Sequence, residues 1–193
     1  MAEQKREPAK DANEALKLRS PNFRALRASE IEVRLVDVTQ EAATVLLYSK
    51  AEAVRAVLNE TLGGVFGWHC RHFACGRGVY CAIGISNGKE IVWKDDVGTG
   101  NALEPVKGEA SDSFKRAARM WGIGTELLTL PKLRLGADKI IIVPDDQRKN
   151  SWKVTDQLHV ESIAYDDERQ IVALTLQNQS GKRIIWQRSS EES

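Results

Sequence analysis

Three groups of residues have the types and spacing to do chemistry. The longest is the stretch from Lys107 through Ser111-Asp112-Ser113-Phe114-Lys115-Arg116-Ala117 to Trp121-Gly122-Ile123-Gly124. At about 100° per residue, Ala110, Phe114, Ala117, Ala118 and Trp121 fall on one arc of a helix. On the same wheel Lys115, Arg119 and Arg116 gather almost opposite that arc, within about 100° of one another. Three cations within one turn repel, and Asp112, four residues before Arg116, is the local acid placed to pair with it. A phosphate backbone would relieve the repulsion fully and release counterions as it bound. The second group is His69, Cys70, His72, Cys75 and Cys81. Thiols and imidazoles bind zinc, but this spacing fits none of the paired-ligand patterns. On a strand, Cys70 and His72 point to one face while His69 and Cys75 point to the other. The expectation is therefore buried small thiols and surface imidazoles, with no metal site. The third group is Asp95-Asp96 with Lys94 and Glu90, which invites a magnesium-dependent nuclease. Neighbours on a strand diverge, so these two carboxylates are not expected to share an ion.

The elements that must position these groups are legible in the alternation of apolar residues. Ile31, Val33 and Leu35 alternate with Glu32 and Arg34, the period of a half-buried strand, and a second strand is expected around 44–48. Val54, Val57, Leu58 and Leu62 have helical spacing, and Gly63-Gly64 follows as a stop. Strands are expected over 68–75, 79–86 and 90–97, with Val79, Cys81, Ile83 and Ile85 lining one face of the middle one. Asn87-Gly88 is a tight-hairpin signal. The helix of 105–122 follows, then an apolar strand at 140–143, a polar linker at 144–151, and strands at 158–165, 171–177 and 183–187. The fold class is α+β: an antiparallel β-meander in a β-β-β-α core with packed helices, plus a small C-terminal three-stranded β-meander. The expected organisation is a disordered basic leader (1–21), a core (22–143) and the C-terminal meander (152–188).

Composition narrows the function. The chain has 193 residues, 42% hydrophobic and 28% charged, with 28 Lys and Arg against 27 Asp and Glu. The net charge of +1 lacks the strongly basic signature of many nucleic-acid binders, but it is unevenly spread. Residues 1–29 hold seven cations and four acids (+3), 30–143 hold 14 of each, and 144–193 hold seven cations and nine acids (−2). No P-loop, dinucleotide fingerprint, G-x-S-x-G elbow or H-E-x-x-H is present, which argues against nucleotide-driven, nicotinamide or hydrolase chemistry. Three Cys without a framework spacing, no apolar h-region and no apolar run near the ~18 residues of a membrane span lead us to expect a cytoplasmic protein without membrane contact.

The segment from Ser111 to Ala117, continuing to Trp121-Gly122-Ile123-Gly124, resembles the signature helix of the Rad-fifty-two family of single-strand annealing proteins, particularly its phage and bacterial relatives. Asp96-Val97-Gly98 resembles the family's strand end, and Tyr48, Glu60, Gly63 and Trp68 its first helix and following strand. The resemblance spans roughly residues 22–135. It implies an oligomeric ring that binds single-stranded DNA along an outer groove and anneals complementary strands in recombination and repair. It also implies no enzyme activity, no nucleotide or other cofactor, and a single-strand-binding protein of host or phage as a further partner. Lys115 and Arg116 match the family's backbone-contacting pair, and Arg119 a cation one turn on. Arg55 lies two residues from the position of the family's first-helix Arg, and Lys107 completes the expected DNA-binding set. Thr125 stands where many relatives place an Arg. A nuclease using Asp95 and Asp96, and a scaffold ring without DNA affinity, are the competing expectations.

Overall fold

A computed structural model describes residues 21–64, 67–87, 89–99 and 105–189, with 105–107 by backbone alone. The expected leader therefore lies outside the described residues, apart from Pro21. Among the described residues two helices and eleven antiparallel strands form the α+β fold. In chain order they are β1 (Ile31–Val36), β2 (Ala42–Ser49), α1 (Ala51–Leu62), β3 (Trp68–Cys75), β4 (Gly78–Ser86), β5 (Ile91–Val97) and α2 (Pro105–Met120). There follow β6 (Arg134–Gly136), β7 (Ile142–Pro144), β8 (Trp152–Val154), β9 (Leu158–Tyr165), β10 (Ile171–Asn178) and β11 (Arg183–Gln187). The sheets run β1-β2-β6, β3-β4-β5 and β11-β10-β9, and β7 pairs with β8. No helix among the described residues is long and apolar enough to cross a membrane.

The period of two decides each sheet's inner face. Ala43, Val45, Leu47 and Ser49 of β2 are buried, and Leu46 between them is exposed. In β4, Cys81, Ile83 and Ile85 face α2, as their alternation predicts. A tight turn joins β4 to β5, as Asn87 signals: the Asn87 N–H donates to the Glu90 carbonyl at 3.1 Å, and Asn87 Oδ1 accepts the N–H groups of Lys89 and Glu90, both at 2.9 Å. The side chain closes the turn in the manner of an Asx-turn.

Helix α2 lies across β4 and β5. Phe114, Ala117 and Ala118 are fully buried, and the Trp121 indole N–H donates to the Ile83 carbonyl at 3.1 Å. Gly98, just past β5, admits this close approach, because a Cβ there would collide with the backbone carbonyl of Glu109. The helix stops at Gly122, whose φ of +90° suits only glycine well. Helix α1 buries Ala53, Val54, Val57 and Leu58.

The C-terminal meander does not stand apart. Val160, Ile171, Leu174, Leu176 and Ile184 belong to the same hydrophobic cluster as Leu26, Ile31 and Leu127. The Tyr165 hydroxyl donates to the Leu26 carbonyl at 2.9 Å, and the Ile171 N–H donates to Thr129 Oγ1 at 2.8 Å. At the centre is Glu126, in the 3₁₀ turn Thr125–Thr129, with a side chain fully shielded from solvent. Its carboxylate accepts the Leu26 N–H and the Arg169 guanidinium, each at 2.7 Å. Leu26 belongs to the segment leading into β1, which is held further by Phe23 in the core and by Arg24 bridging Glu30 and Glu60. Glu126 thus ties three distant parts of the chain. Glu126→Gln should lower stability in urea denaturation by about 1.5–3 kcal/mol, the scale of a hydrogen bond to a charged group. A loss under about 0.5 kcal/mol would show that the tie contributes nothing measurable.

Candidate nucleic-acid interface

The outward face of β1-β2-β6 is set by register. Glu32 lies opposite Tyr48, Arg34 opposite Leu46, and Thr44 has Val36 on one side and Arg134 on the other. These side chains share one face because directly paired residues point the same way. The Arg34 guanidinium carbon sits 4.9 Å from the centre of the Tyr48 ring, and Lys115 Nζ, from α2, sits 5.7 Å from it. Next to Tyr48 is a cavity of about 270 Å³ lined by Leu46, Tyr48, Arg119, Leu127, Leu128 and Leu130. It adjoins a hollow of about 550 Å³ that shares Leu46 and Leu130 and adds Thr44, Pro131 and Lys132. The Thr44 hydroxyl is buried there without a hydrogen-bond partner. A buried polar atom in that condition costs free energy until something supplies a partner. Arg34, Lys115 and Arg119 therefore gather at Tyr48, and Lys132 and Arg134 at Thr44, along one face of the sheet. The carboxylates of Glu32 and Asp37 lie on the same side, Glu32 paired with Arg34 at 3.0 Å.

The three cations that the helical wheel gathers opposite the apolar arc of α2 do not share one surface. Lys115 is only 7% exposed, because the β1-β2 sheet covers that side of the helix. Burial holds its pKa below the ordinary 10.5, against the pull of Asp112 and Glu32. Arg116, about 100° further round, does not pair with Asp112. It reaches Asp96 on β5 at 3.3 Å, and its Nε is buried without a partner. Asp112 instead accepts the Thr99 N–H and hydroxyl, both at 3.0 Å. Arg55 lies over the Phe114 ring at 4.8 Å, on the α1 side of the helix. Lys107 falls in the first turn of α2, and its side chain lies outside the described residues. Of the five expected DNA-binding residues, the structure brings Lys115 and Arg119 to one surface and places Arg116 and Arg55 on others. Arg34, Lys132 and Arg134 were not anticipated there. For Arg34 the signal was a cation on the polar side of a half-buried strand, but nothing local said which helix that side would meet.

The remaining candidates also take definite positions. Asp95 shares the open face of β3-β4-β5 with Arg71, whereas Asp96 turns inward to Arg116, so the pair does not converge on one ion. On that open face Arg71 lies 4.2 Å over the Trp93 ring, and Phe73 stacks on Tyr80 at 5.5 Å. Trp68 and Trp121 pack on the core, as their positions predict. Of the thiols expected to be buried, only Cys81 is; Cys70 and Cys75 are exposed, because β3 is an edge strand. Cys70 Sγ lies 3.4 Å from Cys81 Sγ. The hydrogen bond between them, and then burial, raises the pKa of Cys81.

The buried ammonium of Lys115 gives a test that separates function from architecture. Lys115→Met keeps an unbranched stem and removes the desolvated charge, so it should leave the fold as stable as the wild type or more so. The unfolded chain binds its Lys115 proton up to pH 10.5, whereas the folded chain releases it earlier. Wild-type stability relative to Lys115→Met should therefore rise with pH as the folded-state pKa is passed, levelling off above 10.5. Denaturant midpoints of the two proteins across that range measure it. A marked destabilisation by Lys115→Met near neutral pH would mean that the ammonium is needed for folding.

Comparison with protein-family models, with curated proteins and with solved structures gave no match to this chain, so the reading of the site rests on its own geometry.

Proposed function

We propose that this chain binds single-stranded DNA on the outward face of β1-β2-β6 and anneals complementary strands without nucleotide or metal. The observation that carries the reading is the convergence of Arg34, Lys115, Arg119, Lys132 and Arg134 around Tyr48 and the unpartnered Thr44 hydroxyl. Cations are what a phosphodiester backbone needs, and contacts to phosphate carry no sequence information. Tyr48, with Leu46 beside it, offers an apolar and aromatic surface on which a base can rest. A strand held by its backbone leaves base edges free to sample a complement. The likeness of the α2 segment to the annealing family agrees with this reading.

In this scheme Arg119 and Arg134 hold phosphates, Lys115 adds its charge from beneath them, and Arg116, through Asp96, fixes α2 against β5. Annealing benefits from repeated binding sites, and an oligomeric ring supplies them. The two edges of β3-β4-β5 differ in sequence, so a head-to-tail contact through them would be heterologous, the kind that closes rings. The nuclease reading finds no support in the diverging carboxylates of Asp95 and Asp96.

The test is anisotropy of a labelled oligodeoxythymidine over a salt series. Arg119→Ala with Arg134→Ala should weaken binding and lower the slope of log affinity against log salt by about 1.4, near 0.7 for each phosphate contact. Arg71→Ala, on the opposite sheet, should leave the slope unchanged. An unaltered slope in the double variant, with the fold intact by circular dichroism, would overturn the assignment of this face.

A further inference from the structure

Cys70, His72 and Cys81 meet on the face of β3-β4-β5 that turns toward α2. Cys70 and His72 are two apart on β3, and His72 lies directly opposite Cys81 on β4. One ligand atom from each, two thiol sulfurs and an imidazole nitrogen, lies within 4.8 Å of the other two. Tetrahedral zinc with sulfur at ~2.3 Å and nitrogen at ~2.0–2.1 Å sets its ligand atoms roughly 3.5–3.8 Å apart. The observed Sγ–Sγ distance of 3.4 Å is close to that spacing. A disulfide suits the positions less well. Cys70 pairs with Ile83 and not with Cys81, so the two cysteines are diagonal neighbours, and such pairs lie about 7–8 Å apart at Cα. That exceeds the span of an unstrained bridge.

The imidazole is held by α2 through one ring nitrogen. His72 Nε2 lies 3.1 Å from the Ala110 carbonyl of α2. A carbonyl can only accept, so Nε2 carries the proton and Nδ1 the lone pair. A histidine that ligates a metal commonly donates its other N–H to a backbone carbonyl in this way. Cys81 is buried, whereas Cys70 and His72 are exposed, which leaves an entry path and room for a water at the fourth vertex.

We infer that Cys70, His72 and Cys81 form a zinc site with three protein ligands and one position open to solvent. Two thiolates and a neutral imidazole favour a borderline-soft ion over magnesium or calcium. Binding displaces the thiol protons to solvent, and no electron transfer is involved. The ion would clip the edge strand β3 to β4 at the point where His72 meets α2. This site is independent of the DNA-binding reading, being built on a different sheet.

The experiment is a cobalt(II) titration of the reduced, untagged full chain, followed by competition with zinc. The expected result is one equivalent bound, with sulfur-to-cobalt charge transfer and the visible bands of a tetrahedral site, both abolished by zinc. Cys70→Ser and His72→Ala, at exposed positions where folding should persist, should each weaken binding by more than the ~10–100-fold typical of losing an outer partner. Cys75→Ser, on the other face of β3, should bind as the wild type does. Absence of the charge-transfer band would overturn the proposal. So would a band that survives in Cys70→Ser.

Discussion

The rotation of α2 about its own axis governs the candidate interface. Phe114, Ala117 and Ala118 are buried against β4 and β5, and Phe114 is gripped further by the Trp68 ring, 6.3 Å away, and by Arg55 above it. A helix advances about 100° per residue, so fixing Phe114 fixes Lys115 and Arg116 as well. Lys115 is delivered to Tyr48 on one sheet and Arg116 to Asp96 on the other. Turning the helix by a single residue would bring a cation into the apolar seat, at a cost of several kcal/mol. The division of labour between adjacent cations is thus a consequence of apolar packing, and no electrostatic selection is needed to explain it.

The electrostatics of the face make sense in those terms. Lys115 loses hydration, Arg119 adds like charge nearby, and the Tyr48 ring returns only part of what is lost. Arg34 has Glu32, but Thr44 has no partner for its buried hydroxyl. Sites that spend stability in this way are where function is commonly found. Arg116 and Arg169 also each leave a buried Nε without a partner. The Glu126 carboxylate, in contrast, is met by both Leu26 and Arg169 and holds the C-terminal meander to the core.

Much of this fold was legible in the sequence. The β3-β4-β5 meander, the limits of α2 and the three C-terminal strands follow from alternation, helical spacing and turn residues. The three-residue strands β6 and β8 were not legible, because at that length pairing is decided by the neighbour and not by local propensity. The helical wheel placed Phe114, Ala117 and Ala118 correctly, yet it could not show that residues of β1 and β2, far earlier in the chain, would cover Lys115. Cys70, His72 and Cys81 were hidden for a related reason. Their approach depends on strand register, while the expectation rested on linear spacing. The net charge of +1 conceals the site similarly, since it sums acids of the C-terminal meander with cations that lie on one face of the first sheet.

The central claim is that this surface holds one DNA strand so that a second can pair with it. Its most direct test is the rate at which two complementary labelled oligonucleotides form duplex, followed by energy transfer, with no ATP and no divalent metal. The account predicts a rate well above the protein-free one, falling steeply as salt is raised. Oligonucleotides that bind the protein and yet pair no faster than in buffer would contradict it.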